Sequence, residues 1–211
     1  MQRSPEEEAV NSVTHFIASI GSFLSLLLFL ILGDNNPLLM LAAIIMGGFA
    51  TWTFFSSYLY HSSKSASDVF RNRILDKAAI YLMISGCGCA MSLVVTNPVF
   101  GAVSCIVILL LSSYFIGHLC VKGEMPESMS VSSYVLLGWL SFMPSTGLFY
   151  ETPVTDGVSF SLGVAGSILY SLGVVFYVGD SKKWYHTAWH VLAMLGFSLH
   201  FSALALINMP S

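Results

Sequence analysis

Long apolar stretches alternate with short polar breaks along almost the whole chain. Seven stretches are of helix-spanning length, at about 12–33, 38–60, 78–96, 99–120, 130–149, 157–178 and 186–207, judged against the ~20 residues an α-helix needs to cross a 30 Å hydrocarbon core. Runs such as Phe23 to Leu32 and Ile106 to Leu111 do not alternate, so the segments are not the strands of a transmembrane β-barrel. The breaks have local causes. Gly33-Asp34-Asn35-Asn36-Pro37 and Asn97-Pro98 are turn sequences, Met125-Pro126-Glu127 and Glu151-Thr152-Pro153 stop one helix and start the next, Gly179-Asp180-Ser181-Lys182-Lys183 separates the last two stretches, and Ser62 to Asp76 reads as a polar loop. The pattern predicts an all-α integral membrane protein, a single seven-transmembrane-helix bundle over residues 1–211.

Composition agrees. Of the 211 residues, 55% are hydrophobic and only 9% charged, against about 25% charged in soluble domains. The polar, acidic start with Glu6, Glu7 and Glu8 lacks the basic region and small-residue cleavage site of a signal peptide, so the first span is expected to be retained. The eight basic residues set the topology. Arg3, Lys64, Arg71, Arg73, Lys77, Lys122, Lys182 and Lys183 all fall on one side of a seven-span arrangement, whereas the opposite loops hold Asp34, Glu151 and Asp156. The positive-inside rule then places the N-terminus in the cytoplasm and the C-terminus outside. No basic patch suited to nucleic acid is present, and membrane lipids are the expected partners. Cys87, Cys89, Cys105 and Cys120 lie in or at the ends of apolar segments and read as small buried apolar residues. Gly163, Gly166, Ser167 and Gly173 lie near one face of the sixth span, as close helix packing in lipid requires.

The candidate chemistry gathers on the cytoplasmic side. Imidazoles in a bilayer are costly and tend to be functional. His186-x-x-x-His190 opens the last span, and its i, i+4 spacing sets both rings on one helix face about one turn, roughly 6 Å, apart. Ser57-x-x-x-His61 closes the second span at the same depth, and Asp76 lies just before the third. Three imidazoles can hold zinc and leave a fourth position for water, whose pKa falls toward about 7. Asp76 is the candidate base or a partner orienting a histidine, and Ser57 the candidate to fix the His61 tautomer or contact the water. The first span presents Glu7, Asn11, His15 and Ser19 at successive i+4 steps. His15 and His118, each taken alone, read as helix-packing residues. His200 lies about 15 Å deeper than His190 at 1.5 Å rise per residue and cannot share its metal. No Gly-x-Ser-x-Gly elbow supports a serine nucleophile.

Taken in order, Glu7-Glu8-x-x-Asn11-x-x-Thr14-His15, Ser57-Tyr58-Leu59-Tyr60-His61, Asp76-Lys77-Ala78-Ala79-Ile80-Tyr81-Leu82 and His186-Thr187-Ala188-Trp189-His190 resemble the bacterial haemolysin III family, the prokaryotic branch of the progestin and adipoQ receptors. The resemblance covers nearly the whole chain. It implies a seven-helix bundle with zinc on His61, His186 and His190, with Ser57 and Asp76 beside it. Related alkaline ceramidases imply zinc-dependent hydrolysis of a lipid amide or ester at the cytoplasmic leaflet. A non-enzymatic membrane receptor or homeostasis regulator with structural zinc is the alternative, and a cytolytic pore fits the charge pattern poorly. The chain departs from the family pattern at Lys77, at Thr187 and at Gly86-Cys87-Gly88-Cys89.

Overall fold

The computed structural model describes residues 3–33, 35–95, 98–146 and 157–207. Every regular element among them is helical: α1 (Pro5–Leu32), α2 (Pro37–Ser62), α3 (Ala66–Val95), α4 (Pro98–Lys122), α5 (Glu127–Phe142), a 3₁₀ turn (Met143–Thr146), α6 (Gly157–Val178) and α7 (Tyr185–Ala205). All except α5 are long and apolar enough to cross a membrane. The expected turn residues at Asp34 and Asn97, the end of the fifth stretch at 147–149, the loop with Glu151 and Asp156, and the C-terminal Met209–Ser211 lie outside the described residues.

Local signals set the helix ends. Ser4 caps α1 in a capping box, its Oγ accepting from the Glu7 amide at 3.2 Å while a Glu7 carboxylate oxygen accepts from the Ser4 amide at 3.2 Å. Asn36 Oδ1 accepts from the Leu38 amide at 2.9 Å ahead of Pro37, the first residue of α2. Two starts differ from the sequence reading. α1 begins at Pro5 rather than near residue 12, so Glu7 and Glu8 are helical. α3 begins at Ala66, so most of the expected polar loop is helix. Hydropathy hides this extension, but ordinary soluble-helix chemistry accounts for it. Ser65 Oγ accepts from the Asp68 amide at 3.1 Å, Asp68 pairs with Arg71 at 3.0 Å, and Asn72 Nδ2 donates to Ser63 Oγ at 2.9 Å. Asp76 therefore stands well inside a helix, about 15 Å along the axis from its start.

The burial pattern of α1 is the reverse of a soluble helix. Its buried face is the polar stripe Glu7, Asn11, His15, Ser19 and Ser22, while Val13, Ile17, Leu24, Leu28 and Ile31 point outward. Lipid is as apolar as leucine, so polar groups and small residues go to the helix interfaces. Ser19 Oγ donates to the Thr51 carbonyl at 3.2 Å, and Ser22 Oγ lies 3.0 Å from Thr51 Oγ1. α3 is the central helix, packed on α2, α4, α5 and α7, and Ser85 to Ser92 are buried all round. Its Gly86-Cys87-Gly88-Cys89 run permits this enclosure: a Cβ on Gly88 would meet Ser141 Cβ at 2.5 Å, and one on Gly86 would press on Phe49. Gly166 and Gly173 do the same for α6, where a Cβ would meet His200 and Trp189 of α7. Cys87, Cys89 and Cys105 are buried as expected. Cys120 is exposed instead, on an outward face of α4 next to Val121, where a small apolar side chain can face lipid as readily as protein.

Candidate metal centre

Two helix ends bring three histidines together. His61 is the penultimate residue of α2 and His186 the second residue of α7, with His190 one turn further on. All three are buried. Their ring centroids lie 5.2 Å (His61–His186), 4.9 Å (His61–His190) and 4.5 Å (His186–His190) apart. One nitrogen from each falls within 4.8 Å of the others. Zinc–nitrogen bonds of about 2.0–2.1 Å at tetrahedral angles put donor atoms about 3.3 Å apart, so the cluster is close to ligation spacing. His61 Nε2, His186 Nε2 and His190 Nδ1 are each buried without a hydrogen-bond partner. Buried polar atoms are rarely left unsatisfied, and unpartnered nitrogens on three clustered imidazoles fit a metal ion. Zinc, favoured by imidazole donors, is compatible with this set.

Carboxylates stand behind two of the three rings. Glu8 Oε2 lies 2.5 Å from His61 Nδ1. An ionised carboxylate can only accept, so His61 carries its proton on Nδ1 and keeps the Nε2 lone pair free, the usual arrangement behind a metal-bound histidine. His186 Nδ1 lies 3.5 Å from Asp180 Oδ2 and 3.0 Å from Arg3 Nη2. These partners call for opposite tautomers, because guanidinium only donates. Only the one set by Asp180 frees Nε2 for a metal. Arg3 also donates to Asp180 at 2.7 Å and pairs with Glu8 at 3.3 Å, which ties the chain start to the α6–α7 connection. The contact with His186, and then Arg3, holds the Asp180 carboxyl down at about 2, against its partial burial.

The α6–α7 connection is itself held from α1. Trp184 is left-handed (φ 68°), which costs a non-glycine residue roughly 1–2 kcal/mol, and its amide donates to Glu7 Oε1 at 2.6 Å. Thr187 Oγ1 donates to Asn11 Oδ1 at 2.6 Å. The N-terminal turns of α1 thus aim the start of α7 at His61.

His186 and His190 face a cavity of about 430 Å³ whose wall also includes Ser57, Asp76 and His15. Charged side chains, among them Arg3, Arg73 and Lys77, line part of it, and Phe54, Met83 and Ala193 another part. Ser57 and Asp76 therefore share the cavity with His186 and His190, while among the described residues the metal-spaced group itself is the three imidazoles of His61, His186 and His190. His200 stands apart, with Nδ1 2.9 Å from the Gly196 carbonyl and Nε2 3.4 Å from Ser167 Oγ. His118 is half-buried on α4, away from the cavity. His15 does not behave as a lone packing residue. It stacks on His190 at 3.8 Å, lies 6.4 Å from His61, and neither ring nitrogen has a partner. The i+4 polar stripe of α1 was the signal for it. Glu8 and Asp180 were not singled out in sequence, since one sits in an acidic run and the other in a turn.

The profile of the family described as haemolysin-III related matches residues 3–201. The chain belongs to this family. The haemolysin-III related proteins fall within the progestin and adipoQ receptor superfamily. The chain is 27% identical over 203 residues to the hemolysin-3 homolog of Bacillus subtilis (strain 168), covering 93% of this chain and 92% of that protein. It is 26% identical over 216 residues to hemolysin-3 of Bacillus cereus, covering 100% of this chain and 96% of that protein. No solved structure matches the chain. Membership and the six apolar helices together make it an all-α, multi-pass membrane protein. The two departures from the family pattern near the histidines have defined places in this haemolysin-III related protein. Thr187 bonds Asn11, and Lys77 lies on the cavity wall while its carbonyl accepts from Tyr134 Oη at 3.1 Å.

Proposed function

We propose that this haemolysin-III related protein is a zinc-dependent intramembrane hydrolase of a lipid amide or ester, working at the cytoplasmic leaflet of a bacterial inner membrane. The observation that carries the reading is the set of three buried, partnerless imidazole nitrogens beside a cavity that also holds a carboxylate and a hydroxyl. In this reading the chain forms one seven-span bundle with the N-terminus inside and the C-terminus outside. The contacts of Arg3 with Asp180, and the shared cavity wall of Arg3, Arg73 and Lys77, support a common side for these basic segments.

His61, His186 and His190 hold the zinc. When bound, zinc supplies Lewis acidity toward a carbonyl and toward water. Glu8 and Asp180 fix the tautomers of His61 and His186. Asp76 takes the proton from the attacking water as general base. Ser57, buried at 2% exposure on the cavity wall one turn before His61, orients the water or the substrate carbonyl by hydrogen bonding. A second, apolar cavity shares Ile80, Met83 and Trp189 with the first and runs past Cys87, Tyr134 and Phe142. It suits the hydrocarbon part of the substrate, with the polar bond at the histidines. This apolar continuation also argues against a haemolytic pore, which needs a polar path.

The test is turnover of ceramide-like amides and of acyl esters by zinc-loaded protein in nanodiscs. The expected result is hydrolysis by the wild type and none by Asp76→Asn, with zinc content equal in the two. Unchanged turnover in Asp76→Asn removes Asp76 as base.

A further inference from the structure

His15 lies within the cluster without belonging to the metal-spaced group. Its ring stacks on His190 with centroids 3.8 Å apart and planes inclined by 21°. An imidazole binds a metal in its own ring plane, along the nitrogen lone pair. Two nearly parallel, stacked rings cannot both direct lone pairs at one ion, so a metal on His190 leaves His15 unligated. Yet His15 is 5% exposed, both nitrogens lack partners, and the residue forms part of the cavity wall with Ser57, Asp76, His186 and His190. A neutral imidazole always carries one N–H and one lone pair. Packing alone, such as the edge contact with Phe54 at 5.5 Å, would be served by an apolar aromatic side chain at this position without the cost of a buried unsatisfied donor.

We infer that His15 is a substrate-binding residue whose N–H holds the carbonyl oxygen of the acyl group at the site, from a ring stacked on that of His190. The inference rests on the acyl-lipid reading proposed above and adds a specific donor to it. The same N–H holds a carboxylate oxygen of the fatty acid released by hydrolysis.

The test uses zinc-loaded full-length protein in nanodiscs and palmitate labelled with ¹³C at the carboxyl carbon. Wild type, His15→Phe and His15→Gln are compared for zinc content, palmitate affinity and the chemical shift of the bound carboxyl carbon. All three are expected to keep one zinc. His15→Phe should weaken palmitate roughly ten- to 100-fold, the worth of one hydrogen bond to a charged group, and move the carbon resonance. His15→Gln, which retains an N–H donor, should recover most of both. Equal affinity and an unmoved resonance in His15→Phe overturn the inference while leaving the acyl-lipid reading intact. Loss of zinc in both variants also overturns it, since His15 would then only support His190. Absence of palmitate binding by the zinc-loaded wild type overturns the acyl-lipid reading and this inference with it.

Discussion

Glu8 offers the sharpest view of how the chain prepares its histidines. Its carboxylate lies 2.5 Å from Nδ1 of His61, whose side chain is fully buried, while the Glu8 side chain is one-third exposed. Glu8→Ala strands a buried N–H and frees the ring to change tautomer or rotate. Removing the partner behind a metal-bound histidine lowers metal affinity about 10–100-fold, which is about 1.4–2.7 kcal/mol. Glu8→Gln retains an accepting oxygen but no charge. Charge-assisted bonds are roughly twice as strong as neutral ones, so about half of that free energy, or a 3–10-fold loss, is expected. Glu6 serves as the control. Its side chain is 77% exposed and its contact with Lys183 is 3.9 Å, so Glu6→Ala should leave affinity unchanged. The assay is zinc competition against a chromogenic chelator with protein in nanodiscs. An affinity order of wild type, Gln, then Ala is expected. Wild-type zinc affinity in Glu8→Ala refutes the reasoning, because His61 would then need no orienting partner.

His190→Ala leaves two imidazoles and should remove most bound zinc in elemental analysis of the purified variant; full occupancy would exclude His190 as a ligand. Gly166→Ala places a Cβ 2.3 Å from His200 Nδ1 and 3.0 Å from the Gly196 carbonyl. Overpacking of this kind costs about 1–3 kcal/mol and should lower the thermal unfolding midpoint without changing zinc content; an unshifted midpoint would mean that α6 and α7 are not packed as described.

The apolar helices were legible because lipid imposes one requirement on every residue of a span, and prolines and glycines punctuate the ends. Pro37, Pro98 and Gly157 mark starts within a residue of those observed. The histidine triad was legible because helical spacing and charge sorting set three imidazoles at one depth. What hydropathy hid were polar helical turns outside the apolar stretches. The residues of α3 from Ala66 to Asp76 follow capping and i, i+3 pairing instead, and only the folded arrangement shows Asp76 on the cavity wall from within a helix. Long-range partners were equally hidden. Glu8 meets His61 across 53 positions, and Glu7 meets Trp184 across 177, so no local pattern couples them. His15 was visible as one step of the α1 polar stripe, but its stacking on His190 depends on how α1 packs against α7.

The central claim is that His61, His186 and His190 hold one zinc ion. X-ray absorption at the zinc edge, on protein purified without added chelator, tests it most directly. The expected result is one zinc per chain with three imidazole nitrogens at about 2.0–2.1 Å and one oxygen, losing its imidazole signature in His190→Ala. A metal-free protein, or a zinc shell containing sulfur or only oxygen, contradicts it.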